Sequence, residues 1–280
     1  MPEERIVDCG RVRLNVASEG SGPPVLLLHG FPEFWYSWRR QIPALAAAGY
    51  RVIAPDLAGY NLSDKPKGVR AYHVRPLVED LLGLLRALGL PRVHLVAHDW
   101  GGVLGWYLAA NHPEVVDRHV EINAPHPRIM RRELFTNPSQ LRRSWYIFYN
   151  QLPWLPERMF AHPAFFRKVL RGTSTRREAF SDADIARYEE AFRRPYARTA
   201  TINYYRAAIR YPQPRIRQVD RPTLVIWGEQ DRFLGPGMLV GLEREVRDLR
   251  VLRIPEGSHW VHHEFPDQVN EAILGFLKDS

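Results

Sequence analysis

Cysteine is almost missing: only Cys9 occurs in 280 residues. No internal disulfide can form and no cysteine cluster is on hand for a metal, so Cys9 is expected to pack near an N-terminal strand. Nor is there a run of about 18 or more consecutive apolar residues, which excludes a spanning helix. The opening MPEERIVDCG lacks the basic-then-apolar layout of a secretory leader, so a soluble, cytoplasmic protein is expected. Basic runs are missing too. The formal net charge is +8, but the arginines lie along the chain between acids, the pattern of a solvated surface. Neither a nucleic-acid nor a membrane partner is expected, and no repeat or low-complexity segment is found. What is present in quantity is apolar side chain, 45% of residues, enough to bury the core of one domain with an insertion.

Apolar runs at Val25 to Leu28, Val52 to Ala54, Val93 to Ala97 and His119 to Ile122 read as strands. Helical patterns at Trp38 to Ala48 and Val74 to Leu88 separate the first three. Strands alternating with helices predict an α/β fold with a mainly parallel, doubly wound sheet. From about Pro127 to Pro214 the chain turns rich in Arg, Tyr, Trp and Pro with helical patterns only, which predicts an inserted helical lid. Strand signals return at Thr223 to Trp227 and Arg250 to Ile254, and a helix from Pro266 to Leu277 ends the pattern. The predicted organisation is core 1–126, lid 127–214 and core 215–280.

Val93 to Ala97 runs into His98-Asp99-Trp100-Gly101-Gly102 and then a helix from Val103. Small residues at Ala97, Gly101 and Gly102 let a sharp strand–turn–helix close, which is the context of a nucleophile elbow. An N-cap would place Asp at the same point. Asp99 stands where esterases carry Ser, and that changes the chemistry. A carboxylate is already ionised at pH 7 and needs no base before it attacks. Attack on an acyl carbon would give an anhydride, whereas attack on a saturated carbon bearing a leaving group gives an alkyl ester that water can cleave.

Elbows of this kind are followed along the chain by an acid and then a histidine. His259, in Gly257-Ser258-His259-Trp260 after the last strand, is the candidate base for that water. His259, His262 and His263 have a spacing that a metal could use, but no nearby carboxylate completes a set, and no metal or cofactor is expected. Asp231, after the strand Thr223 to Trp227, is the candidate acid that orients the His259 ring. Glu229 competes for that role from nearer the strand end, a plain turn is the other reading of Asp231, and the earlier strand end offers only Asn123. Backbone N–H groups of Phe31, in His29-Gly30-Phe31-Pro32, and of Trp100 would form an oxyanion hole. A cis bond before Pro32 would suit such a turn.

The segments HGFPEFWYSWRRQIPALAAAGYRVIAPDLAGYNLSDKP, VAHDWGG and GSHWVHHEFPDQVN closely resemble the epoxide hydrolases of the α/β-hydrolase fold, and the likeness spans nearly the whole chain. It implies hydrolysis of a small apolar epoxide to a vicinal diol, with lid tyrosines that hydrogen-bond the epoxide oxygen and protonate it as the ring opens. SWYIFYNQLPWLP places Tyr146 at the first of these positions and TINYYRAAI places Tyr205 at the second, with Tyr149 and Tyr204 as neighbours in register. Relatives often carry a basic residue at Ala58 and Gly at Asn61, and Asn tolerates positive φ. No phosphatase-like domain or anchor of the larger vertebrate enzymes is expected here.

Haloalkane dehalogenases share the Asp nucleophile and the Trp after it, and are the alternative reading. They stabilise halide with N–H donors, and Phe31 stands where many carry Asn. Fluoroacetate dehalogenases place Arg after the nucleophile, where this chain has Trp100. A binding protein with a vestigial site would not keep competent residues at Asp99, Asp231 and His259. Trp106, Trp145, Phe148 and Trp154 are the candidate lining of an aromatic pocket. Substrate identity, selectivity and the choice between monomer and homodimer stay open.

Overall fold

A computed structural model describes residues 2–278. Eight strands form one sheet: β1 (Glu3–Asp8), β2 (Arg13–Glu19), β3 (Pro24–Leu28), β4 (Arg51–Pro55), β5 (Val93–His98), β6 (Val116–Ile122), β7 (Thr223–Gly228) and β8 (Leu249–Ile254). Their order is β1-β2-β4-β3-β5-β6-β7-β8. Only β1 with β2 and β2 with β4 are antiparallel; the remaining pairings are parallel. Every residue of β5 and of β7 is buried, which is why these strands read as unbroken apolar runs: helices cover a parallel sheet on both faces.

The helices are α1 (Gln41–Ala47), α2 (Val74–Ala87), α3 (Asp99–Asn111), α4 (Pro127–Thr136), α5 (Pro138–Arg143), α6 (Trp145–Tyr149), α7 (Leu155–Phe160), α8 (Asp182–Arg193), α9 (Ala197–Arg210), α10 (Val261–Glu264) and α11 (Pro266–Lys278). Between β6 and β7 the described chain carries helices α4–α9 joined by turns and loops, with a π turn at Arg167–Arg171 and no strand. Two expectations need correction. The single helix expected over Trp38 to Ala48 is a 3₁₀ turn, Trp35–Trp38, followed by α1. The β1–β2 hairpin was not expected, because β1 is an edge strand exposed at every position but Val7 and shows little apolar alternation. Cys9 lies in the turn of that hairpin, buried, and burial followed by the nearby Asp80 charge pushes its thiol up to about 11, which leaves it unreactive.

The order of the central strands fixes where chemistry can happen. The chain lays β4 on one side of β3 and β5 on the other, so a crevice opens beyond the carboxyl ends where the winding reverses. Phe31 follows β3, Asp99 follows β5, and the loops after β7 and β8 bring in Asp231 and His259. No helix among the described residues is long and apolar enough to cross a membrane.

Candidate active site

At the end of β5 the backbone passes from an extended His98 to Asp99 at φ 49°, a left-handed conformation that costs a non-glycine residue on the order of 1–3 kcal/mol. Two glycines make room for it. A side-chain carbon on Gly30 would run into the Asp99 side chain, and one on Gly101 into the carbonyl oxygens of Leu28 and His29. Asp99 therefore stands above the sheet with its side chain 18% exposed. Its Oδ1 accepts a hydrogen bond from the Phe31 N–H at 2.7 Å, just before a cis Phe31–Pro32 bond.

His259 faces the other carboxylate oxygen, with Nε2 3.6 Å from Asp99 Oδ2. Its Nδ1 lies 2.7 Å from Asp231 Oδ2, which fixes the ring with Nδ1 donating to Asp231 and Nε2 turned to Asp99. Asp231 is buried, and its remaining capacity is met by donors. Asn123 Nδ2 donates to Oδ2 at 2.8 Å, and the N–H groups of Phe233 and Leu234 donate to Oδ1 at 2.7 and 3.0 Å. A buried carboxylate needs that set. Glu229, the competitor, pairs with Arg253 at 2.9 Å and has no part in the site.

The charges set the protonation states. Burial alone would depress the His259 ring, but the Asp231 and Asp99 carboxylates outweigh it and raise the ring to about 10. Burial likewise would raise Asp99, yet the adjacent His259 holds its carboxyl below the ordinary value. These opposed shifts favour an imidazolium between two carboxylates.

Tyr146 and Tyr205 meet above this arrangement, ring centroids 5.8 Å apart. Trp100 and Phe31 stand edge-on to Tyr205 at 5.0 and 5.5 Å, and Phe233 bridges from Tyr146 at 5.6 Å to His259 at 5.3 Å. Burial and then the Asp99 charge push both phenols upward, so both are protonated donors at neutral pH. Their register neighbours are committed elsewhere. Tyr204 donates to the Ala58 carbonyl at 2.7 Å and Tyr149 to that of Leu155 at 3.3 Å.

The expected lining aromatics are not at the site. Trp106 is buried in the core, donating to the Ala124 carbonyl at 3.2 Å, and Trp145, Phe148 and Trp154 point to solvent. Phe31, Trp100, Phe160 and Phe233 take their place, Phe160 packing on Phe31 at 5.2 Å. Of the three histidines of the zinc reading, His259 faces Asp231 at 2.7 Å, whereas His263 Nε2 and His262 Nε2 lie 2.7 and 3.7 Å from the two carboxylate oxygens of Glu33, so the three rings do not converge on one point.

The α/β-hydrolase fold model matches residues 23–266. The AB hydrolase superfamily protein YfhM of Bacillus subtilis is 40% identical over 98% of both chains, and epoxide hydrolase 4 of Homo sapiens is 37% identical over 98% of this chain and 78% of its own length. A Bacillus megaterium epoxide hydrolase in complex with an inhibitor superposes with a TM-score of 0.88 at 32% identity, covering 99% of this chain and 100% of that one. The chain belongs to the epoxide hydrolase family. A Vigna radiata epoxide hydrolase has the same architecture, with a TM-score of 0.87 at 28% identity over 100% and 98% of the two chains.

For a member of the epoxide hydrolase family, the sequence reading overlooked two supports of this site. Glu33, fully buried, accepts from His263 Nε2 at 2.7 Å and from the Tyr188 hydroxyl at 3.1 Å, and its second oxygen lies 3.3 Å from His98 Nδ1. His98 Nε2 in turn donates to the His259 carbonyl at 2.9 Å. The signal was a carboxylate inside the apolar run HGFPEFW, where an unpartnered charge would be costly. The other is Asn123, at φ 39° after β6, whose amide secures Asp231. Asn61, at the departure from the family pattern, does take positive φ, 37°.

Proposed function

We propose that this chain hydrolyses apolar epoxides to vicinal diols through a covalent ester on Asp99. The observation that supports the proposal is that the rings of Tyr146 and Tyr205 meet among Phe31, Trp100 and Phe233, beside the Asp99–His259 pair and within reach of the Asp99 charge. An epoxide bound there has its oxygen at Tyr146 and Tyr205 and a ring carbon at Asp99. Oδ1 is already engaged by the Phe31 N–H, so Oδ2 attacks. The C–O bond of the ring breaks as a phenol gives its proton to the leaving oxygen, which an alkoxide needs and a halide does not.

Esterification removes the Asp99 charge, one of the two that hold His259 protonated. The ring proton can then replace the one the phenol lost, and His259 becomes a base. It takes a proton from water as that oxygen bonds to the Asp99 carboxyl carbon. The tetrahedral oxyanion falls to the backbone N–H groups of Phe31 and Trp100. Collapse breaks the bond between the Asp99 carboxyl carbon and Oδ2, which leaves on the product as its second hydroxyl with the second water proton; the water oxygen completes the restored carboxylate, and the imidazolium remains. The helical segment 127–214 acts as the lid that supplies the phenols and keeps bulk water out.

Diol formation from a styrene-oxide-like substrate, run beside halide release from a bromoalkane, tests this reading. Diol without halide is expected, and halide release alone would shift the assignment to a dehalogenase. Asp231→Asn should lower turnover on the order of 10²–10⁴ without altering the circular dichroism spectrum, because an amide cannot stabilise the imidazolium. Near-normal turnover would remove Asp231 from the mechanism. The two steps should also part company with pH. Asp99, held below its ordinary value, stays ionised at pH 5, so rapid-quench measurement should find ester formation little changed there from pH 7. Hydrolysis needs the neutral ring and should slow. A common titration of both steps would contradict the assigned roles.

A further inference from the structure

Helices α5 and α6 and the turn after them carry their polarity inside out. Leu141, Trp145, Phe148 and Leu152 recur at steps of four, three and four residues, the spacing of one helical face. That face is exposed at 43, 57, 48 and 41%. The inward side instead buries Gln140 and Ser144, whose side chains bond each other at 2.9 Å, with Gln140 also donating to the Phe233 carbonyl at 2.8 Å. Trp154 and Leu155, at 58 and 38%, extend the exposed surface. Six large apolar side chains within 15 residues of chain exceed the scattered singles of an ordinary monomer surface and call for a cover.

Charge identifies the cover. The stretch 127–177 holds eleven Arg or Lys against two Glu, whereas the whole chain is +8, so the rest is near neutral. No acid occurs between residues 134 and 156. Exposed arginines frame the aromatics: Arg142 lies on α5, the Arg158 guanidinium sits 5.7 Å from the Trp154 ring centre, and Arg210 donates to the Gln151 carbonyl at 2.9 Å. A second copy packed by twofold symmetry would press two such cationic faces together. An anionic bilayer satisfies both features, since Trp and Phe settle at the headgroup level and arginines reach lipid phosphates from stems laid on apolar surface.

We propose that the α5–α6 face docks peripherally on anionic lipid bilayers. Peripheral docking needs no spanning helix, so it revises the expectation of no membrane partner, which rested on the lack of a spanning run and on a charge pattern that residues 127–177 do not follow. The face is coupled to the candidate active site, because α6 turns Tyr146 inward and Gln151 donates to the Tyr205 carbonyl at 2.9 Å. On the epoxide reading, a lipid-dissolved substrate would meet the lid from the bilayer side; the docking itself does not depend on that reading.

Sedimentation of the full chain with vesicles of phosphatidylglycerol and phosphatidylcholine, against phosphatidylcholine alone, tests the docking. The chain should pellet with the anionic vesicles, less so at high salt. Trp145→Ser/Phe148→Ser and, separately, Arg142→Glu should each weaken binding about tenfold or more, with turnover of a water-soluble epoxide unchanged. Failure to bind anionic vesicles, or equal binding by the double variant, would overturn the proposal. So would a dimer seen by analytical ultracentrifugation that the double variant abolishes, for then a second copy covers this face. Absence of epoxide turnover in the parent chain would count against the proposed reaction and leave the vesicle result standing.

Discussion

Tyr146→Phe combined with Tyr205→Phe is expected to leave almost no epoxide opening, with each single change retaining partial activity. The leaving oxygen of an epoxide departs as a strongly basic alkoxide, and general-acid assistance contributes about 10²–10⁴ in rate where that is so. On the proposed reaction either phenol alone would supply the proton, because the two rings meet and, among the described residues, neither hydroxyl donates to a protein carbonyl, unlike those of Tyr149 and Tyr204. Removing both leaves the oxygen without a donor. The loss should lie in ester formation, visible in a single turnover, and not in hydrolysis. An amide inhibitor gives an independent reading: its carbonyl would accept from both phenols, so each single Phe variant should bind it about 0.5–1.5 kcal/mol more weakly. A double variant that opens epoxides at the parental rate would mean that these tyrosines only line the cavity.

The parts of the fold legible in the sequence are those with one dominant physical demand. β3, β5 and β7 are covered on both faces, so nearly every position must be apolar, and the runs stand out. The elbow was legible because its neighbours leave no room for side chains at Gly101, which faces the Leu28 and His29 carbonyls, or at Gly102, which faces Glu121 and Ala124. His259 and Asp231 follow from chain order, and the structure brings them into line with Asp99 although Asp231 and His259 are 28 residues apart. Tyr146 and Tyr205 came from family resemblance alone; no periodicity separates them from Tyr149 and Tyr204.

What stayed hidden depends on three-dimensional partners. Asn123 is an unremarkable carboxamide until Asp231 arrives beside it from 108 residues later. Glu33 has no visible partner in the sequence until three imidazoles and the Tyr188 hydroxyl close around it. The four aromatics that are candidates for the pocket lining lie elsewhere for a different reason. Composition tells that an aromatic is present and not which side of a short helix it occupies, and on α5–α6 the usual rule that apolar means inward is reversed.

The central claim is that Asp99 becomes esterified and that His259 serves the second step only. His259→Gln separates the two. The carboxylate remains to attack and the phenols remain to protonate, but no base activates water, so the intermediate should accumulate. Intact-mass spectrometry of this variant after incubation with an epoxide should show the protein plus one substrate mass, and peptide mapping should place the addition on Asp99, with steady turnover nearly abolished. An unmodified protein under those conditions, or an adduct on any other residue, would contradict the account.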